Sequence, residues 1–237
     1  MYILILLCLI LIMIYMIYKN HIRIEKFIDN DDYWKDYRLG DIFKYWIYID
    51  QNKVLKDYPN SIGALYLKRN PEKKKNYKLL FKIIDEKSKG KNELPKNNEI
   101  VLHLRIGDAI KDFVNGKFVY NKDNFNNSIW YATKIESLEN NIHEFKGKKV
   151  TIIYGNHMPS NRPKINKNVN ELYLQHIRDL FKKNNISFIE KNSGNPDKDF
   201  IYMCNSKTFG QSGGGYSALI ASYVNHKGNK VLNFNNI

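Results

Sequence analysis

Three polar residues and a glycine crowd the end of one apolar run. Positions 100–104 read Ile-Val-Leu-His-Leu, and Arg105, Gly107 and Asp108 follow at once. An unbroken apolar run of this kind predicts a strand covered on both faces. Strand alternation puts His103 and Arg105 on one side and Leu102 and Leu104 on the other. Gly107 permits a sharp exit, which leaves Arg105 at the strand's carboxyl edge. A guanidinium there can clamp a phosphate with two hydrogen bonds while Asp108 orients it. A structural salt bridge, with His103 satisfied in the core, accounts for the same residues without a ligand. Asp112 is the nearest acid downstream and the candidate general base; a base must reach the hydroxyl it deprotonates, which spacing alone does not show.

A second cluster lies near the other end of the chain. Gln211-Ser212-Gly213-Gly214-Gly215 follows a short run at 207–209, and a helix carrying Leu219, Ile220 and Tyr223 is expected from about Tyr216. Glycines let a backbone approach a phosphate closely, and a helix N-terminus offers free N–H groups and a positive dipole end. Ser212 and Ser217 add hydroxyl donors. The block is neither a Walker loop nor GxGxxG, because no Lys-Ser/Thr follows and the glycines are contiguous; a plain tight turn has the same composition. Just before it, positions 196–204 read as a short helix with Asp197 and Asp199 in the first turn. Acids there suit the helix dipole; the functional reading sets Asp199 near the base or ribose of a nucleotide.

The elements that must position these residues are legible as apolar runs. Beyond 100–104 and 207–209, runs at 150–154, 186–189 and 231–234 predict strands. Between them, Val169, Leu172, Tyr173, Ile177, Leu180 and Phe181 share one face of a helix over 168–183, with Asn168 and Glu171 spaced as a capping box. Alternation of buried strands with helices predicts an α/β domain over 99–237, a Rossmann-like parallel sheet. Ligands in such sheets bind at the carboxyl ends of the strands, where both clusters fall. Positions 33–98 read as a reduced, mainly helical N-terminal region. One helix is expected from Pro59 through Tyr66 and another from Asn70-Pro71, before a linker at about 89–98.

The first 18 positions read differently. Positions 2–18 hold no charge, and a helix of that length at about 1.5 Å per residue spans most of a bilayer core of about 30 Å. Nothing basic precedes the run and no small-residue cleavage site follows, so an uncleaved single-pass anchor is expected rather than a signal peptide, followed by a polar stem over 19–32. Lys19, His21, Arg23 and Lys26 favour a cytosolic chain, whereas the acceptor triplets at Asn126 and Asn185 suit a lumenal one; the side stays open.

Composition excludes several classes. The chain has 237 residues, 43% of them hydrophobic and 14% aromatic, which excludes disorder. Its two cysteines build no disulfide scaffold. No Cys/His group has zinc-ligand spacing, and no metal site is expected: Asp29-Asn30-Asp31 reads as solvated charge in the stem, and Asp197-Lys198-Asp199 as a helical turn. Lys and Arg outnumber Asp and Glu by 38 to 24, a formal charge of +14. A basic surface favours anionic ligands of any kind. No aromatic-and-basic recognition motif accompanies it, so no nucleic-acid partner is expected.

Taken together, the two clusters resemble a known group. His103-Leu-Arg105-Ile-Gly107-Asp108 is similar to the HxRxGD motif of the α1,2-, α1,6- and protein O-fucosyltransferase superfamily, and the Ser212 to Ser217 block to the small-residue segment near the C-terminus of those enzymes. The acidic helix around Asp199 matches in position. Ile106 stands where several branches carry a second Arg; the single-Arg form is closer to the protein O-fucosyltransferases. Positions 19–98 are short for a full first Rossmann-like domain. The resemblance implies a GT-B-like fold, GDP-fucose as the donor substrate, no cofactor or metal, and transfer of L-fucose with inversion to a glycan or protein hydroxyl. It implies that Arg105 contacts the donor's β-phosphate, that His103, Gly107 and Asp108 shape the donor pocket, that Asp199 lies near the guanosine, and that Ser212, Gly213, Gly214, Tyr216 and Ser217 line the diphosphate site. The alternatives are a glycosyltransferase using another nucleotide sugar and a catalytically inactive nucleotide-binding relative.

Overall fold

The strand expected at 100–104 is β1 (Glu99–Gly107), the middle strand of a five-stranded parallel sheet. The computed structural model describes residues 39, 42–43, 50–72, 74–91, 93–121, 131–157, 167–191 and 193–234. β4 (Lys149–His157) pairs with β1 along its whole length, from Glu99 opposite Lys149 to Gly107 opposite His157. On the other side β6 (Thr208–Gln211) pairs from Ile100 opposite Thr208 to Leu102 opposite Gly210. β5 (Phe188–Glu190) and β7 (Lys230–Asn233) flank them, giving the order β5-β4-β1-β6-β7. From β1 the chain runs out to β4 and β5, then returns past β1 to β6 and β7. The β1/β6 pair is therefore the topological switch point, whose carboxyl edge is the ligand crevice of open α/β sheets.

The alternation in β1 explains its two faces. Ile100, Leu102, Leu104 and Ile106 are buried in one core with Val169, Tyr173, Ile177 and Phe181 of α5 (Lys167–Lys183) and Leu138 of α4 (Ile135–Asn140). Val101 faces the opposite core, built from α6 (Pro196–Cys204), α7 (Gly215–His226) and the N-terminal helices. α6 starts where expected: Asn195 Oδ1 accepts from the N–H groups of Asp197 and Lys198, and Pro196 opens the helix. Glycine at 210 lets the middle strands close up, since a Cβ there would lie 2.6 Å from Leu102 Cδ1.

The described residues between 50 and 91 are mainly helical, with corrected boundaries. α1 (Gln51–Asp57) is followed by α2 (Ile62–Arg69), which begins at its Ser61 cap rather than at Pro59. No helix begins at Asn70-Pro71. Instead, Asn70 Nδ2 and the Tyr66 hydroxyl both donate to the Lys74 carbonyl, and the Tyr66 oxygen accepts from Asn76 N–H. These bonds hold Lys74 and Asn76 outside a helix, and α3 (Tyr77–Ser88) starts from its Asn76 cap. A hairpin, β2 (Ile110–Val114) with β3 (Lys117–Tyr120), follows β1 directly. The expected anchor over 1–18 and stem over 19–32 lie outside the described residues. Among the described residues no helix is long and apolar enough to cross a membrane.

Candidate functional site

The site forms where β1 and β6 end. Gly107 has φ +81°, and its N–H donates to Asn170 Oδ1 of α5 at 3.0 Å, so the chain turns sharply out of β1. The turn brings Asp108 beside Arg105. The carboxylate accepts from Nε at 3.1 Å and from Nη2 at 2.9 and 2.8 Å, occupying one edge of the guanidinium. The Arg105 side chain is only 18% exposed. Its Cζ lies 4.4 Å from the centre of the Tyr131 ring, so one face is covered as well. The outward edge, Nη1 with the remaining Nη2 proton, is the part of the fork that Asp108 leaves for a ligand.

The glycine bend meets that edge. Gly214 has φ +90° and ψ 161°, backbone that only glycine adopts readily, and a Cβ placed on it would run into Arg105 Nη1. Gly214 is also the N-cap of α7 and so provides no side-chain cap. The positive end of a twelve-residue helix thus opens beside a guanidinium. Asp108 neutralises part of this charge, and the combination of a directed cation and an uncapped helix start favours an anion with several oxygens.

His103 and the two serines hold the two strand ends together from inside. His103 Nδ1 lies 2.9 Å from Ser212 Oγ, a contact between residues 109 positions apart, and Ser212 N–H donates to Ser217 Oγ at 3.1 Å. All three are buried. Burial, and secondarily the charge of Arg105, push the His103 pKa down to about 3, so the ring is neutral at physiological pH. The serine hydroxyls expected as phosphate donors are placed in the interior and already engaged. Tyr216 packs its ring on His103 and Phe200, with centroids 5.6 and 5.2 Å apart, and donates its hydroxyl to the Pro196 carbonyl at 2.6 Å. That bond ties α7 to the first turn of α6.

The two remaining candidates stand elsewhere. Asp199 is buried in α6 and accepts from Ser193 N–H. Burial pushes its carboxyl up to about 6 against the lowering effect of that bond. It lines a cavity of about 760 Å³ between α6 and residues 57–62, with Lys91, Lys191, Ser193, Lys198 and Tyr202 also on the wall. Arg105, His103 and the glycine bend do not line this cavity; the Tyr216–Pro196 bond connects the two places. Asp112 lies exposed on the hairpin, where its carboxylate accepts from Phe113 N–H, while Arg105 donates to Asp108. The structure therefore brings together Arg105, Asp108, Gly107, His103, Ser212, Gly213, Gly214, Tyr216 and Ser217, sets Asp199 next door, and leaves Asp112 apart.

Three residues at the site carried no sequence signal of their own: Tyr131, Asn121 and Asn170. Gly213 N–H donates to the Tyr131 carbonyl at 2.9 Å, and Tyr131 N–H to the Asn121 carbonyl at 3.0 Å. Asn121 Nδ2 donates to the Asp108 carbonyl at 2.5 Å. Each acts by a long-range contact that no local spacing reveals. No group of three or more His, Cys, Asp or Glu among the described residues could hold a metal ion. Asp197, of the Asp-Lys-Asp turn, accepts instead from Ile62 N–H at 2.7 Å.

No family model matches the sequence, and no curated protein matches it. Solved structures do. A crystal structure of POFUT1 in complex with GDP aligns at 14% identity and a TM-score of 0.39, over 65% of this chain and 49% of that one. A crystal structure of POFUT1 in complex with GDP-fucose aligns at 12% identity and a TM-score of 0.39, over 74% of this chain and 59% of that one. The chain thus spans between half and three fifths of the length of the structures it matches.

Proposed function

We propose that this chain is a glycosyltransferase of GT-B-like architecture that binds a nucleoside-diphosphate sugar at the carboxyl edge of β1 and β6. GDP-fucose is the proposed donor, on the resemblance of the HLRIGD segment, and a glycan or protein hydroxyl the acceptor. The observation that carries the reading is the meeting of Arg105 and Gly214 at the switch point. In transfer, the bond between the sugar's anomeric carbon and the β-phosphate oxygen breaks, and negative charge grows on the departing diphosphate. The outward edge of Arg105 and the N-terminus of α7 are fixed beforehand where that charge develops, which is the arrangement that lowers such a barrier. The nucleoside lies toward Asp199 and the cavity beside it. The acceptor hydroxyl attacks the opposite face of the sugar, and its proton goes to a base for which Asp112 is the candidate.

One observation favours a second reading, a nucleotide-binding chain without transfer. Asp108, the carboxylate in contact with Arg105, is committed to that arginine, and Asp112 is exposed on a hairpin. Profiling GDP- and UDP-sugars for hydrolysis and transfer separates the readings. Transfer predicts turnover of GDP-fucose that Arg105→Ala abolishes without loss of fold. Arg105→Lys restores it only in part, because an ammonium lacks the planar fork. Near-normal turnover by Arg105→Ala refutes the assignment, and tight GDP binding without turnover on any acceptor supports the second reading.

A further inference from the structure

We propose that Tyr131 is a positioning residue that holds the Arg105 fork against the glycine bend, its ring acting on the guanidinium and its main chain on the bend. The inference rests on the proposed function only in taking the ligand at this site to be a diphosphate. Arg105 ends a long side chain with many rotamers, so its use as a preset charge depends on what immobilises it. Asp108 grips one edge, but it belongs to the same exit from β1 and moves with it. Tyr131 supplies the contact from outside. Its ring lies 4.4 Å beneath the guanidinium carbon, within cation–π range.

The same residue reaches both motifs through its backbone. Its carbonyl accepts from Gly213 N–H in the bend. Its N–H donates to the Asn121 carbonyl, while Asn121 N–H donates to the Ala109 carbonyl and Asn121 Nδ2 to the Asp108 carbonyl. A continuous chain of hydrogen bonds therefore runs from the exit of β1 through Asn121 and Tyr131 to the exit of β6. His103 and Ser212 join the two exits in the interior; Tyr131 joins them on the half-buried side, where Arg105 is presented. Substituting the side chain leaves the main-chain link intact, so the ring's part can be measured alone.

The test is calorimetry on the full chain with guanosine and with whichever of GDP and UDP the wild type binds, for Tyr131→Leu, Tyr131→Phe, Arg105→Ala and the Tyr131→Leu/Arg105→Ala double variant. Loss of a partly buried cation–π contact weakens diphosphate binding by about 5- to 30-fold in Tyr131→Leu. Affinity for guanosine, which has no phosphate, is unchanged, Tyr131→Phe stays within about twofold because the ring face persists, and in the Arg105→Ala background the leucine costs nothing further. Unchanged diphosphate affinity in Tyr131→Leu, or an equal loss with and without Arg105, overturns this inference and leaves the proposed function standing. A wild type that binds neither diphosphate overturns both. A second measurement needs no Tyr131 variant: the Arg105 Nε–H proton, assigned by its absence from Arg105→Lys, resonates upfield under the ring current of Tyr131, and an unshifted resonance overturns the stack.

Discussion

Gly214 is the residue at which a backbone that favours glycine meets the guanidinium of Arg105. Its φ of +90° costs a side-chain-bearing residue about 1–3 kcal/mol, and the added methyl would strike Arg105 Nη1. The arginine tip is normally a flexible neighbour, but here Asp108 and Tyr131 hold it. Gly214→Ala therefore lowers stability by about that amount and lowers GDP affinity about as far as Arg105→Ala does. An alanine variant that folds and binds GDP normally would show that the guanidinium does not serve the ligand. Asp199 gives the pH prediction. Burial raises its folded pKa to about 6, above the unfolded value near 3.8. Between these values the folded state binds the extra proton, so the group's contribution is fully present below about pH 4 and is lost as pH rises through 6. The loss is up to about 3 kcal/mol. Asp199→Asn is accordingly more heat-resistant than the wild type at pH 8, and the two converge near pH 4; identical melting curves at pH 8 would contradict the burial argument.

At the scale of elements, the two ends of β1 do different work. The carboxyl end presents Arg105. The amino end buries Glu99, whose carboxylate accepts from Thr151 Oγ1 at 2.5 Å, the Tyr202 hydroxyl at 2.6 Å and Lys96 N–H at 3.1 Å. Burial alone would push Glu99 up, but these three bonds together bring it below the usual carboxylate range. Thr151→Val removes one of them and costs about 1–3 kcal/mol of stability, while GDP affinity, which the proposed function sets at the other end of the strand, does not change; a fall in affinity matching that of Arg105→Ala would break the division. Where local pattern decides an element, the sequence showed it. β1 and β4 stand out as short, mainly apolar runs, α5 carries one apolar face, and α6 announces itself by Asn195-Pro196. The hairpin was not among the expected elements, although Asn115-Gly116 is a strong short hairpin signal; both residues take positive φ, 51° and 78°. The helix start at Asn70-Pro71 fails because Tyr66 and Asn70 engage Lys74, contacts that no cap rule contains. At the site, the HLRIGD and glycine segments stood out by composition. That their serines face inward, and that Tyr131 bridges them, depends on pairings across the fold.

At the scale of the whole molecule, the sheet order makes the site. β1 and β6 become neighbours only because the chain reverses its direction of travel across the sheet, so residues 109 positions apart share one edge. A ligand seated there links both exits and stabilises the folded chain as a unit. At a concentration of about 100 times its Kd, GDP adds about 2.7 kcal/mol, or about 5–10 °C in Tm for a chain of this size. The net charge of +14 permits a rival account by polyanion binding. Engagement of about six to ten nucleic-acid phosphates would lose about 10³- to 10⁵-fold in affinity between about 50 and 200 mM salt, and it would not respond to GDP. A GDP-induced thermal shift that persists at about 200 mM salt and disappears in Arg105→Ala favours the nucleotide site; a shift equal in both chains contradicts it. The most direct measurement is a crystal structure of the full chain with GDP. The β-phosphate is predicted about 3 Å from Arg105 Nη1 and from the first N–H groups of α7, with the guanosine toward Asp199. A diphosphate bound away from both Arg105 and Gly214 would contradict the account.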